Sequence, residues 1–353
     1  MTKKITAAII GLGRIASLLE EDSLREKPCT HAGAIAANSE CALAAGCDID
    51  EDRRRLFAEK WQVPVYADAA EMLRLHQPQI LAIATHPDSH YRFCLLAARH
   101  NVPVIVCEKP VADNIGEARK IAALCRTGAA AAAGSSAAAG KGARAALPVI
   151  ITNHERRYSQ DYIRAKTILE EGKLGQLLSV RAALCMGKTA RLLDMLWHDG
   201  THLADAIMFL SNSTLRHRRA WGAKLASRSG TVWLEGALHS RKNSRQIAVP
   251  VIIEIGAGRD HLVFEIEFSC EKGRLRIGNG IFEVLESAPS PYAEKFRSLK
   301  NTGEQFSGAT GYFANMLKDA VCCVRDPQRP PVSSATDGLR VIEYLNSVKK
   351  WRK

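Results

Sequence analysis

The stretch Ile5-Thr6-Ala7-Ala8-Ile9-Ile10-Gly11-Leu12-Gly13-Arg14-Ile15-Ala16 decides how the rest of the chain is read. A mostly apolar run ends at Gly11, and two glycines and an alanine follow at the spacing G-x-G-x-x-A. This order predicts a buried strand, a glycine turn and the first turn of a helix. Gly11 lets the main chain turn tightly. Gly13 has no side chain, so a pyrophosphate can approach the main chain beside Arg14 and Ile15. Ala16 is small enough for the helix to pack on the strand. The N–H groups at the helix start then face the phosphates. An ordinary strand–helix turn can carry the same glycines. The apolar run directly before them favours the dinucleotide reading.

A chain of 353 residues is long enough for two domains with separate cores. Its 46% hydrophobic and 24% charged residues are those of a globular protein. No apolar run approaches the ~18–20 residues that span a bilayer. The first strand starts at Ile5, which predicts no signal peptide. None of the 10 cysteines forms a C-x-x-C pair, and several lie in apolar runs. A reducing cytoplasm without disulfides is the expectation. The net charge of +12 is spread widely and no nucleic-acid motif accompanies it. Attraction of an anionic cofactor or substrate accounts for it, so neither a nucleic-acid nor a membrane partner is expected.

Along the first half, a polar connection over 20–28 follows the glycine turn, and a helix resumes near Thr30-His31. A second strand ends at Asp48, where an acid accepts hydrogen bonds from the adenosine ribose; Asp50 is the nearby competitor. Asp48 lies further beyond Gly13 than the usual ~20 residues, and the polar connection accounts for the excess. A buried strand over 80–84 delivers Thr85-His86-Pro87-Asp88-Ser89-His90 to the carboxyl edge of the sheet, where open α/β sheets bind ligands. The strand over 102–107 brings Glu108-Lys109-Pro110 to the same edge. Residues 127–146 are almost all Ala, Gly and Ser and predict a flexible connection rather than a site. A further strand over 147–152 ends in Asn153-His154-Glu155-Arg156-Arg157-Tyr158. Arg157 and its neighbours are candidates to hold polar substrate groups, or else a solvated helix start.

The second half changes character. Alternating stretches over 176–186, 230–239, 247–255 and 261–270, with shorter ones over 273–277 and 281–285, predict an antiparallel sheet. Residues 192–210 read as a helix with its approach loop, and 312–324 and 335–349 as amphipathic helices. Arg216-His217-Arg218-Arg219 reads as a solvated strand edge.

With G-x-G-x-x-A, Asp48, Glu108-Lys109-Pro110 and Gly200-Thr201-His202-Leu203-Ala204-Asp205 in order, the chain resembles the glucose–fructose oxidoreductase / inositol dehydrogenase / rhizopine-catabolism (Gfo/Idh/MocA) family over essentially its whole length. The resemblance implies an α/β protein. It has an N-terminal Rossmann domain over 1–126, a connection over 127–146, and an α+β domain over 147–353 with a large, mostly antiparallel open sheet. That sheet is expected to make a homodimer or homotetramer, and the last helix to pack back on the Rossmann domain. Expected cofactor ligands are Gly11, Gly13, Arg14, Ile15, Asp48, Thr85, His86, His90, Glu108 and Lys109. Two features depart from the pattern: the Ala/Gly-rich connection, and His198 standing where many such dehydrogenases have the first residue of Asp-x-Gly-x-His.

Moving a hydride to or from nicotinamide needs a proton carrier at the substrate oxygen and a group that stabilises its charge. Lys109 suits the second task. His202 suits the first, since imidazole titrates near neutral pH. On one helix, His198, His202 and Asp205 share a face, which makes His198 a second relay candidate and Asp205 an orienting group. Glu108 is expected to pair with a cation. Lys109, Arg157, Asp199 and His202 are the expected substrate contacts. His198-x-x-x-His202 also has a metal-like spacing, but the chemistry needs no metal and none is expected. NAD is the expected cofactor, with NADP admitted by Arg53, Arg54 and Arg55. The expectation is a dehydrogenase or reductase of a sugar, polyol or sugar derivative. The alternatives are an NAD-retaining glycosidase and a non-catalytic dinucleotide sensor.

Overall fold

The computed structural model describes residues 3–125, 147–187, 191–241, 248–308 and 310–350. The Ala/Gly-rich connection expected over 127–146 lies outside them. The chain divides into two compact units, Met1–Tyr158 with Gly311–Ile342, and Ser159–Thr310 with Glu343–Lys353.

The first unit holds a six-stranded sheet in the order β3-β2-β1-β4-β5-β6. Its strands are β1 (Ile5–Ile10), β2 (Cys41–Cys47), β3 (Val65–Tyr66), β4 (Ile80–Ile83), β5 (Val104–Cys107) and β6 (Val149–Thr152). Every pairing is parallel. This is the doubly wound dinucleotide-binding order, with its switch point between β1 and β4. The helices α1 (His31–Ala37), α2 (Glu51–Trp61), α3 (Ala69–His76), α4 (His90–Arg99) and α5 (Ile115–Leu124) connect the strands. Side-chain oxygens of Thr30, Asp50, Asp68 and Asn114 cap α1, α2, α3 and α5. The β4, β5 and β6 runs are buried throughout, as a sheet covered on both faces requires.

The fingerprint strand forms as expected, but the helix after it does not. Residues 14–17 make a single irregular turn, with Ser17 N–H on Gly13 O at 3.1 Å and Leu19 N–H on Arg14 O at 3.0 Å. A short 3-10 segment, Leu18–Glu21, ends it. The regular helix begins only at His31. Its first amides reach back to the turn, His31 N–H to Ile15 O at 3.2 Å and Ala32 N–H to Ala16 O at 2.9 Å. The polar connection is thus inserted into one interrupted helix. Glu20 fastens it, accepting from Cys29 N–H at 3.1 Å and Thr30 Oγ1 at 2.6 Å.

The expected boundary near 126–147 and the observed division differ. Strand β6 pairs with β5, so the chain up to Tyr158 belongs with the first sheet. Segment 311–342 returns to the same unit, and within it Phe313, Met316, Leu317, Ala320 and Val321 join the core beside Ile5, Ala7, Ile9, Val104 and Val149. These residues lie on the helix Tyr312–Arg325.

The second unit holds an eight-stranded sheet in the order β14-β13-β12-β11-β7-β10-β9-β8. Its strands are β7 (Leu177–Cys185), β8 (Ser213–Gly222), β9 (Gly230–Ser240), β10 (Val249–Ala257), β11 (Val263–Cys270), β12 (Gly273–Gly278), β13 (Ile281–Pro289) and β14 (Arg297–Asn301). Only β7 and β10 pair in parallel. Burial alternates residue by residue along β11, so one face is covered and the other open. The edge strand β8 carries Arg216, Arg218 and Arg219 exposed. The patterning had marked β8 only as an edge and missed β14. Exposed edges need little apolar alternation. The helices are α6 (Gln160–Glu170), α7 (Leu192–His198) and α8 (Gly200–Leu210). The chain closes with α9 (Tyr312–Arg325) and α10 (Ala335–Lys350). Among the described residues, no helix is long and apolar enough to cross a membrane.

Candidate active site

The carboxyl edge of the first sheet gathers most of the expected residues. Gly11 has φ +86°, and a Cβ there would stand 2.8 Å from the carbonyl carbon and oxygen of Ala84. Only glycine serves both conditions, and the close approach brings the turn after β1 against the end of β4. Gly13 is the opposite case. The nearest atom to its Cβ position is Arg53 Nη1 at 3.8 Å, so the space above the main chain is open. Arg14 is exposed and Ile15 half-buried on the same turn. This open main chain, flanked by arginines, fits a dinucleotide pyrophosphate.

Asp48 ends β2 as expected, with 6% of its surface exposed. Its carboxylate faces the turn and accepts Leu12 N–H at 2.7 Å and Asp50 N–H at 3.0 Å. Each oxygen keeps acceptor capacity for a ribose hydroxyl. The competitor Asp50 is engaged elsewhere, capping α2 through Arg53 N–H at 3.0 Å. Of the three arginines beside it, Arg54 donates to the carbonyls of Asp48 and Ile49. Arg55 pairs with Asp52 and Glu59. Only Arg53 turns to the site, with Nη1 3.8 Å from Asp48 Oδ2.

Past β4, Thr85 is half-buried and receives the Ser89 hydroxyl at 2.7 Å, while His86 is exposed. His90 is wholly buried. Its Nε2 lies 3.1 Å from Thr85 O, and its Nδ1 3.1 Å from Pro110 O. Burial lowers its pKa against the pull of these carbonyls. His90 therefore staples the Thr85 loop to the Lys109-Pro110 loop and has no surface left for a cofactor, which corrects the expectation of direct contact.

The loop after β5 holds a buried cluster that motif reading missed. Glu108 Oε1 lies 2.8 Å from His31 Nε2 and accepts Asn153 Nδ2 at 2.7 Å. Glu108 Oε2 accepts the main-chain N–H of Lys109 at 3.3 Å. Burial pushes the Glu108 carboxyl up, but His31, Asn153 and the Lys109 charge outweigh it and hold it below its ordinary value. Glu108 is thus ionised, paired with a histidine rather than exposed to a cofactor. The half-buried Lys109 ammonium also acts on Glu155, whose carboxyl burial pushes up against Arg156 and Lys109. His31 and Asn153 could have been suspected only as polar residues at a helix start and a strand end.

Arg157 is placed differently from expectation. It is 4% exposed, donates to Val332 O at 2.9 Å and pairs with Asp337 at 3.1 Å, all inside the first unit. A guanidinium sealed in this way serves the fold and is not presented to a substrate.

In the second unit the expected common face of His198, His202 and Asp205 is broken. Asp199 ends α7 and begins α8 (φ −100°, ψ −27°), so His198 and His202 stand on different helices. His198 is exposed and Asp199 half-buried. His202 is 8% exposed and Asp205 1% exposed, on a helix that packs against β7, β8 and β11. Asp199 contributes its carbonyl, accepting His202 N–H at 3.1 Å. His202 is the more firmly fixed of the two histidines. Among the described residues, no three His, Cys, Asp or Glu side chains group as metal ligands.

Comparison with known proteins bears on the fold and on the class of activity. A family model described as oxidoreductase family, NAD-binding Rossmann fold (GFO_IDH_MocA) matches residues 5–132. The chain is 24% identical over 330 residues to D-apiose dehydrogenase of Paraburkholderia graminis, covering 86% of this chain and 79% of that protein. It is 24% identical over 178 residues to inositol 2-dehydrogenase of Salmonella typhimurium, covering 50% of this chain and 44% of that protein. An oxidoreductase from Agrobacterium radiobacter, solved in complex with NAD+, L-tartaric acid and magnesium, superposes with TM-score 0.68 at 16% identity over 98% of this chain and 96% of that one. UDP-N-acetylglucosamine 3-dehydrogenase from Acidithiobacillus ferrooxidans gives 0.69 at 15% identity, covering 98% of each chain. At such identities the solved structures speak for the fold, and the sequence matches add the class: the chain is an oxidoreductase whose residues 5–132 match the NAD-binding Rossmann fold of the GFO_IDH_MocA model, and over most of its length it is similar to a sugar dehydrogenase.

Proposed function

We propose that this oxidoreductase interconverts a secondary alcohol and a ketone on a sugar, polyol or sugar derivative, with Lys109 polarising the oxygen and His202 carrying its proton. The observation that carries the reading is the Lys109 loop. It stands at the carboxyl edge of a dinucleotide-type sheet, with its main chain bonded to a buried, ionised Glu108. The turn from Gly11 to Ile15 and the Asp48 carboxylate would hold the dinucleotide, and the nicotinamide supplies the two-electron exchange when bound. The Lys109 ammonium favours the alkoxide form of the substrate oxygen. His202 accepts the hydroxyl proton in oxidation and returns it in reduction. The sugar-like substrate class rests on the names of the relatives, D-apiose dehydrogenase and inositol 2-dehydrogenase.

The open face of the eight-stranded sheet supports a homodimer or homotetramer. It offers Arg181, Trp233, Ile252, Glu254 and Arg276 to a second copy, a mixture of flat apolar and paired charged groups. All ten cysteines are free thiols, which suits a reducing cytoplasm.

The test is a screen of polyols, inositols, sugar acids and nucleotide sugars for a change in nicotinamide absorbance. Stoichiometric NADH formation with one class supports the reading. Glycoside cleavage without net NADH would replace it with a cofactor-recycling glycosidase, and tight NAD binding with no turnover of any compound would point to a sensor.

A further inference from the structure

We propose that His31 and Asn153 are positioning residues for Lys109: they hold the Glu108 carboxylate in one place, and through it tie the lysine loop to the glycine turn. The inference rests on the Lys109 role given above. His31 Nε2 and Asn153 Nδ2 converge on the same oxygen, Oε1, at 2.8 and 2.7 Å, leaving Oε2 to receive the Lys109 N–H at 3.3 Å. The side chains of His31 and Glu108 are 2% and 8% exposed, so water does not substitute for either partner. The two donors come from different elements. Asn153 follows β6, and its main-chain N–H continues the ladder onto Cys107 O at 2.8 Å. His31 opens α1, and its ring meets Phe313 edge-on at 5.2 Å, which restricts rotation away from the carboxylate.

The same histidine is bonded to the fingerprint through its main chain, by His31 N–H on Ile15 O. One residue therefore contacts both the end of the glycine turn and the carboxylate beneath Lys109. A shift of α1 on filling the turn would be felt at Glu108, and from there at the lysine. Without its outer donors, the Glu108 carboxylate would lean more on the Lys109 ammonium, whose charge already helps to hold it below its ordinary value. A lysine so paired holds its proton more tightly.

The test uses the full chain and needs no substrate. Trinitrobenzenesulfonate labelling of Lys109, followed by peptide mass mapping across pH, reports how readily its amine is free. NADH fluorescence reports the turn, and thermal melting reports the fold. His31→Leu should slow Lys109 labelling and weaken NADH by about tenfold, the size expected when a hydrogen bond to a charged group is lost. His31→Gln, which keeps a side-chain N–H, should remain near wild type in both. Asn153→Ala removes one of the two outer donors and should slow labelling in the same direction, which keeps the test decisive if His31→Leu does not fold. Variants that melt earlier but label and bind NADH as the wild type does would overturn the proposal, since a merely structural pair predicts that result. Should the wild type bind no NADH, the functional reading above fails, while labelling still decides whether His31 and Asn153 set the lysine.

Discussion

Lys109 and His202 come from the two compact units, one on a loop at the end of a parallel strand, the other on a buried helix. If both serve one oxygen, Lys109→Ala and His202→Ala should each lower turnover by about 10²–10⁴, and the double variant should lose far less than the product. Steady-state rates with a substrate from the screen check this, and near-normal turnover in His202→Ala removes it as proton carrier. His198→Ala should cost much less, because that side chain is exposed at a helix end. The cofactor's adenosine end gives a second expectation. Asp48 favours NAD over NADP, and of three neighbouring arginines only Arg53 stands close enough to relieve a 2′-phosphate. Dissociation constants for NADH and NADPH should differ in favour of NADH, and Arg53→Ala should widen the gap by weakening NADPH alone. Equal loss for both cofactors would show that Arg53 does not discriminate. Gly11, Asp48, Lys109 and His202 could be named from sequence because each sits in a short motif or at a strand end. His31 could not, because its partner Glu108 is 77 residues away and only the fold makes them neighbours.

Strand and helix placement was largely legible, because apolar periodicity and capping residues are local signals. What escaped was decided by tertiary bonds. The helix after the glycine turn is cut by an insertion and resumes on the carbonyls of Ile15 and Ala16. The stretch read as one helix with its approach loop is two helices that meet at Asp199, so the spacing of His198 and His202 does not put them on one face. The 3-10 segment Glu155–Tyr158 reads from sequence either as a set of substrate contacts or as a solvated helix start, yet it sends Arg157 inward to Asp337 at the start of α10. Burial pushes the Asp337 carboxyl up, but Arg157, Ser334 and Arg340 outweigh it and hold it well below the carboxylate range. A carboxyl lowered by folding adds stability above its unfolded pKa, about 4, and loses that contribution as the pH falls toward the folded value. Denaturant unfolding from pH 7 to pH 3 should therefore show a decline that flattens in Asp337→Asn. Arg157→Ala should cost about 3–5 kcal/mol at neutral pH, since it leaves a buried carboxylate short of its main partner. An unchanged acid slope in Asp337→Asn would show that other carboxylates dominate.

At the scale of the whole molecule, the first compact unit is discontinuous in sequence. Its six strands are complete by Thr152, but α9 belongs to its core and follows the entire second sheet. Sequence reading placed an amphipathic helix there correctly, yet could not tell which core it completes, since periodicity shows that a face is apolar and not what covers it. A chain ending at Thr310 should consequently fail to bind NADH and should expose apolar surface, detectable as dye binding and poor solubility. Retained NADH affinity in that truncation would show α9 to be dispensable. The same arrangement bears on how the protein is made. As the chain leaves the ribosome, the dinucleotide-binding sheet is made before α9, and Ala82, Val104 and Val106 wait for Met316, Leu317 and Val321 until the whole second sheet has been synthesised. Folding of the first sheet is thus tied to synthesis of the second, and synonymous changes that slow decoding between the two sheets should lower the yield of active enzyme without altering a single residue.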